Sequence, residues 1–189
     1  MRLFGSLTSP YVRHCRIALA QASIEHELVV TDYAGSAKRS PTQRVPFLED
    51  GGLRLTDSAS ILRHIREKQG QAFLPRIEDF DFFLLASTAL DTTVNLFLLE
   101  RDGIEPDACA YLQRQAARIE STLAELDTRT RHHPERTRPL QSDALLRLGC
   151  FLGWALFRQR VDFQGHLALR ELLQACEQQE SFSQTRPVA

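Results

Sequence analysis

The chain has 189 residues, of which 43% are hydrophobic and 25% charged, and a formal net charge of −1. That length suffices for one large domain or two small ones with a real core. The near-neutral balance gives no general ground for nucleic-acid or membrane partners.

The opening Met-Arg-Leu-Phe-Gly carries no apolar leader and runs straight into a short predicted strand at Leu3-Phe4. Small and hydroxyl residues then turn the chain, and Pro10 opens a periodic helix reaching about Ala22. Proline suits the first helical position, because its missing N–H would have no partner inside the helix. Ser9 is then the N-cap, with its hydroxyl beside the unpaired N–H groups of the first turn. Strand, turn and helix N-terminus together attract anions, although a plain capped helix explains this stretch equally well. Val12, Cys15, Leu19 and Ala22 form the apolar stripe of the helix.

Leu28 to Thr31 reads as a second strand, parallel to the first through a right-handed crossover. Tyr33 to Arg44 is polar and reads as loop or short irregular helix. Val45 to Glu49 and Leu53 to Thr56 flank Asp50-Gly51-Gly52, a hairpin signal in which Pro46 near the strand start is tolerated. Asp57 then caps a helix with Ile61, Leu62 and Ile65 turned inward, ending near Gly70. After a linker at Gln71 to Pro75 the pattern is all-helical: Glu78 to Arg101, Asp107 to Arg131, Ala144 to Phe157 and His166 to Gln178. The third of these is apolar nearly all round, which marks a central buried helix. It is the longest apolar stretch, yet too short for a bilayer and interrupted by Arg147. The tail from Ser181 to Ala189 is expected on the surface. The four cysteines, Cys15, Cys109, Cys150 and Cys176, fall in predicted helices without C-x-x-C spacing and read as reduced packing thiols. His132-His133 lies in a basic loop and reads as solvated, and Trp154 as packing.

Three sites in the first half stand out: Thr8-Ser9-Pro10-Tyr11-Val12-Arg13, Arg44-Val45-Pro46-Phe47-Leu48 and Asp57-Ser58-Ala59-Ser60-Ile61. With the small mixed sheet and the helices after it, they resemble the cytosolic glutathione transferases, specifically a bacterial, serine-type branch. Ala89-Leu90-Asp91, Asp143, Gly149-Cys150, Gly153, Phe157-Arg158 and Ser181-Phe182 extend the likeness along the chain. The resemblance implies an α/β thioredoxin-like domain over residues 1–72 that binds glutathione, followed by an all-α helical bundle over residues 78–189. Val45-Pro46 resembles a cis-proline turn whose Val45 backbone pairs with the cysteinyl unit of glutathione. Asp57-Ser58 resembles the pair that grips the γ-glutamyl end, although an ordinary N-cap pair would read the same. Ser9 would face the glutathione sulfur, and Phe4 and Ser6 leave no tyrosine-type arrangement. Serine in place of cysteine at position 9 argues against disulfide reduction.

Glutathione is thus implied as co-substrate, with no metal, a small electrophile as second substrate between the two domains, and Leu7 and Tyr11 among its lining. The family implies a cytoplasmic homodimer active in detoxification, with no nucleic-acid or membrane partner. A departure lies at Leu140, where the family usually has a Ser/Thr cap; Ser142 is the substitute. The alternative is a non-catalytic glutathione-binding or interaction module, because fold alone does not establish activity. A hydrolytic serine enzyme lacks the nucleophile-elbow motif.

Overall fold

The computed structural model describes residues 1–187. The chain forms two compact units, Met1–Pro75 joined by the segment from Gln178, and Arg76–Glu177.

In the first unit, β1 (Arg2–Gly5), α1 (Pro10–Gln21) and β2 (Glu27–Val30) make the crossover, and β1 and β2 pair in parallel. The polar segment after them is a regular helix, α2 (Tyr33–Arg39), because the Asp32 side chain accepts the Gly35 N–H at 2.7 Å and caps it. The hairpin follows as β3 (Phe47–Asp50) and β4 (Leu53–Leu55), turning on Gly51 and Gly52, both at positive φ. The sheet order is β2-β1-β3-β4, with β3 antiparallel to both neighbours. Then comes α3 (Ser58–Lys68).

Leu3, Phe4 and Gly5 are successive buried residues, so the central strand is covered on both faces. The Phe4 and Phe47 rings stack at 4.4 Å across the β1–β3 pair. Val12, Cys15 and Leu19 of α1 join Ile61, Leu62 and Ile65 of α3 in the core. Gly5 sits directly under Val12, where an added methyl would overlap the valine side chain. Overpacking of this kind costs about 1–3 kcal/mol. Gly5→Ala is therefore expected to lower the unfolding free energy by about that amount in denaturant titration, and Gly5→Ala/Val12→Ala to recover part of it.

The second unit contains α4 (Ile77–Arg101), α5 (Ala110–His132), α6 (Asp143–Arg158) and α7 (Leu167–Glu177). Helix α6 is the buried centre, with Leu145, Leu146, Leu148, Cys150, Phe151 and Leu152 fully inside. Pro139–Gln141 form a single 3-10 turn, so Leu140 is not a cap, and Ser142 accepts the Leu145 N–H at 3.4 Å instead. Trp154 packs edge-on against Phe97.

Four expectations are corrected. Among the described residues it is α4, rather than the 144–157 stretch, that is long and apolar enough to cross a membrane by length and composition. Its Phe82, Phe83, Ala86, Ala89 and Leu90 are buried, and it packs on α5 and α6 as a bundle core helix does. Cys109 is exposed and flanks α5 rather than lying in it, whereas the other three cysteines are buried. The tail is not wholly on the surface, since Phe182 and Thr185 are buried while Gln184 and Arg186 are exposed, and it groups with the first unit rather than with residues 78–177. It forms α8 (Glu180–Ser183) within the first unit, with Phe182 fully buried; Val188 and Ala189 lie outside the described residues.

The fourth correction is His133, which is buried rather than solvated. Its ring meets Phe82 edge-on, its Nδ1 accepts the Glu135 N–H at 3.2 Å, and its Nε2 is 3.5 Å from Asp79. Burial pushes its pKa below the ordinary value, outweighing the opposing pull of Asp79. The folded state therefore binds this proton less readily than the unfolded chain. The stability the neutral ring contributes is complete above the unfolded value of ~6.5 and is lost as pH falls through the lower folded value. Acidification from about pH 7 should accordingly lower the melting temperature more steeply in the wild type than in His133→Phe.

Candidate functional site

The sheet register brings the three sequence sites to one end of the first unit. Strand β1 runs out at Gly5 toward Ser9 and α1. Phe4 pairs with Phe47, so continuing that antiparallel register sets Pro46 beside Gly5 and Val45 beside Ser6. Leu48 pairs with Leu55, and the same continuation sets Asp57 beside Pro46. The end of β1, the start of β3 and the end of β4 therefore share an edge, and α1 and α3 both begin there. Two strand spacings separate the β1 and β4 ends, ~10 Å.

Each feature arises locally. Ser9 has extended backbone, its C=O accepts the Arg13 N–H at 3.0 Å, and its Oγ accepts the Val12 N–H at 3.3 Å. A hydroxyl that accepts through a lone pair still has its proton to donate. Capping the helix and donating to an anion are thus compatible tasks for the same oxygen. Asp57 behaves likewise: Oδ1 takes the Ala59 N–H at 2.7 Å and Oδ2 remains for an ammonium partner. Asp57 is exposed and Ser58 buried, so the carboxylate faces outward at the mouth of α3. The Val45–Pro46 bond is cis, as the resemblance expects. Val45 is half-buried just before β3, and Pro46 is buried.

The electrostatics at the α1 end favour an anion. Its first turn has no acidic residue, and Arg13 and Arg16 follow within two turns. Burial, and then the charge of Arg13, push the Arg16 pKa below its ordinary value. Ser6 and Thr8 are the nearby alternative hydroxyls, with their oxygens 3.4 Å apart. Leu7 and Tyr11 are half-buried on either side of Ser9 in sequence. Among the described residues no group of three or more His, Cys, Asp or Glu is placed to hold a metal ion. Phe182 and Thr185 reach α1 at Arg13, a neighbourhood the sequence reading missed. The available signals were one phenylalanine in a polar tail and the likeness noted at Ser181-Phe182, neither of which named Arg13 as the partner.

A four-stranded mixed sheet with a cis-proline before its third strand, followed by an all-helical unit, defines the thioredoxin-like plus helical class. Residues 3–73 match the family described as glutathione S-transferase, N-terminal domain. Those residues are similar to that family's N-terminal domain, and over nearly its whole length the chain shares the fold of solved glutathione transferases. It is 35% identical over 75 residues to glutathione S-transferase 4 of Zea mays, a match covering 36% of this chain and 34% of that protein. The chain thus spans about a third of the length of the curated relatives it matches. Among solved structures, a glutathione S-transferase of Methylobacillus flagellatus with glutathione bound is 24% identical, with a TM-score of 0.86 and coverage of 99% of both chains. Another, from Methylobacterium radiotolerans in complex with glutathione sulfonate, is 25% identical, with a TM-score of 0.78 and coverage of 100% of this chain and 95% of that one.

Proposed function

We propose that the protein is a glutathione transferase that binds glutathione, holds it as the thiolate at Ser9 and transfers it to a small electrophile. The observation that carries this reading is the convergence of Ser9, Val45-Pro46 and Asp57-Ser58 at one sheet end. The ~10 Å between the β1 and β4 ends matches the reach of three extended residues. In this reading the Val45 backbone pairs with the cysteinyl unit beside the cis Pro46. Ser58, at the α3 N-terminus, takes the γ-glutamyl carboxylate, and the outer oxygen of Asp57 takes the ammonium. Leu7 and Tyr11 then meet the electrophile.

The chemistry asked of the site is modest. A thiol of pKa ~8.5 reaches half ionisation at pH 7 with a shift of about 1.5 units, roughly 2 kcal/mol. A hydrogen bond to a charged group contributes about 1.5–3 kcal/mol and a helix end ~0.3–1. The thiol proton leaves to water and Ser9 donates its own hydroxyl proton to the sulfur without losing it. The sulfur lone pair forms the C–S bond. In a substitution the leaving group takes the pair from the broken bond, and in an addition the π pair moves to the atom beside the attacked carbon, which gains a proton from water. The reading extends to a cytoplasmic homodimer acting in detoxification, with no metal, nucleic-acid or membrane partner.

Calorimetry with glutathione, followed by turnover of several electrophile classes on the same preparation, tests it. Binding with turnover of at least one class is the expected result. Binding without any turnover would favour a glutathione-binding module, and no binding at millimolar glutathione would remove the site assignment.

A further inference from the structure

Arg13 is only 2% exposed, although it sits in the second half of the first turn of α1. Its Nη2 donates to the Phe182 carbonyl at 2.7 Å and its Nε to the Thr185 hydroxyl at 3.3 Å. The guanidinium carbon lies 3.6 Å from the centroid of the Phe182 ring, which is itself fully buried. Thr185 is fixed in turn, since its hydroxyl lies 2.9 Å from the Ser181 carbonyl and 3.0 Å from that of Phe182. Phe182 and Thr185 thus grip one side chain 169 and 172 positions upstream.

The gripped residue also closes the turn that carries Ser9. The Arg13 N–H donates to the Ser9 carbonyl at 3.0 Å. The other tie on Ser9, from the Val12 N–H to its hydroxyl, is long at 3.3 Å. The helix therefore holds the hydroxyl loosely, and its direction follows wherever the first turn is set. A donor aimed at a developing charge is sensitive to displacements well under an ångström. The planar guanidinium, stacked and forked, fixes that turn in a way a flexible cation would not.

We infer that the segment Ser181–Thr185 is a positioning element of the thiol site, which clasps Arg13 and thereby sets the Ser9 hydroxyl against the glutathione sulfur. This rests on the transferase reading above. Arg13 and Phe182 are positioning residues; neither touches substrate in this scheme.

The test titrates the thiol of bound glutathione by ultraviolet absorbance in the wild type, Phe182→Ala, Arg13→Lys and Thr185→Val. Phe182→Ala and Arg13→Lys both keep the charge of α1, so a change in midpoint reports position. Each is expected to raise the midpoint by about 0.5–1 unit, a three- to tenfold loss of thiolate at neutral pH. Glutathione affinity at pH well below the midpoint should stay within about twofold, because the grip of Val45, Asp57 and Ser58 is untouched. Phe182→Leu, which restores apolar packing, should recover part of the shift. In a Ser9→Ala background, Phe182→Ala should add almost nothing, because the group it aims is gone.

Wild-type midpoints in the folded variants, with only a lower melting temperature, would overturn the inference. Full additivity with Ser9→Ala would overturn it as well. If Phe182→Ala does not fold, Arg13→Lys and Thr185→Val decide by the same readout. A wild-type protein that binds glutathione with an unshifted thiol would remove the Ser9 reading, and this inference with it.

Discussion

Ser9→Ala is expected to raise the midpoint of thiolate formation in bound glutathione by about 1–2 units, the worth of one charge-assisted hydrogen bond. Ultraviolet absorbance against pH measures it. Turnover at neutral pH should drop at least tenfold and partly recover at higher pH, where the thiol ionises unaided. Affinity at low pH should hardly change. The helix should also lose a cap, but the Val12 N–H bond is long at 3.3 Å, so the stability loss should sit near the lower end of ~0.5–2 kcal/mol. Unchanged midpoint and rate would reduce Ser9 to a helix cap. The donor would then be sought at Thr8, Ser6 or Tyr11. Ser9→Cys should give an anion-stabilised thiol at a helix N-terminus, able to form a mixed disulfide when glutathione disulfide is supplied.

Asp57 offers the second large effect, and its two tasks can be separated. Asp57→Ala should weaken glutathione binding at least tenfold by calorimetry, through loss of the contact to the ammonium group. It should also cost about 1 kcal/mol of stability, since the 2.7 Å bond from the Ala59 N–H disappears. Asp57→Asn keeps an amide oxygen for the cap and removes the charge. Its stability should be close to wild type while its affinity falls nearly as far as in the alanine variant. If Asp57→Asn binds glutathione as the wild type does, the residue is a cap and the ammonium group has another partner.

Features written in neighbouring residues were legible before the fold was known. Ser9-Pro10, Asp57-Ser58 and Ser142-Asp143 are helix starts because a short polar side chain can reach an N–H two or three residues on. Asp50-Gly51-Gly52 turns the hairpin because two successive positive φ angles are needed there. What depends on distant partners was not legible. Phe80 and Leu84 carry the same hydrophobic label as Phe83, yet they are 39% and 46% exposed, because only the neighbouring helices decide which side of α4 is inside. His133 looks like its neighbour His132 until Phe82 closes over it. Phe182 is one ring in a polar tail with no period to announce it, and its pocket is built by Arg13. At the candidate site, the residue types were in the sequence. Their meeting at one sheet end required the register of β3 against both β1 and β4.

The burial of Phe182 against α1 also orders events during synthesis. Everything else in the first unit's sheet and its two flanking helices has been translated by Lys68. Arg13 must nevertheless wait for more than a hundred further residues, the whole of the second unit, before its partner leaves the ribosome. N-terminal units generally fold first as a chain emerges. Here that early product is provisional, because Arg13 lacks its contacts to Phe182 and Thr185 until α8 and the turn after it have been made. On the reading given to Ser9, the thiol site would reach its working geometry only after residues 181–185 have been synthesised.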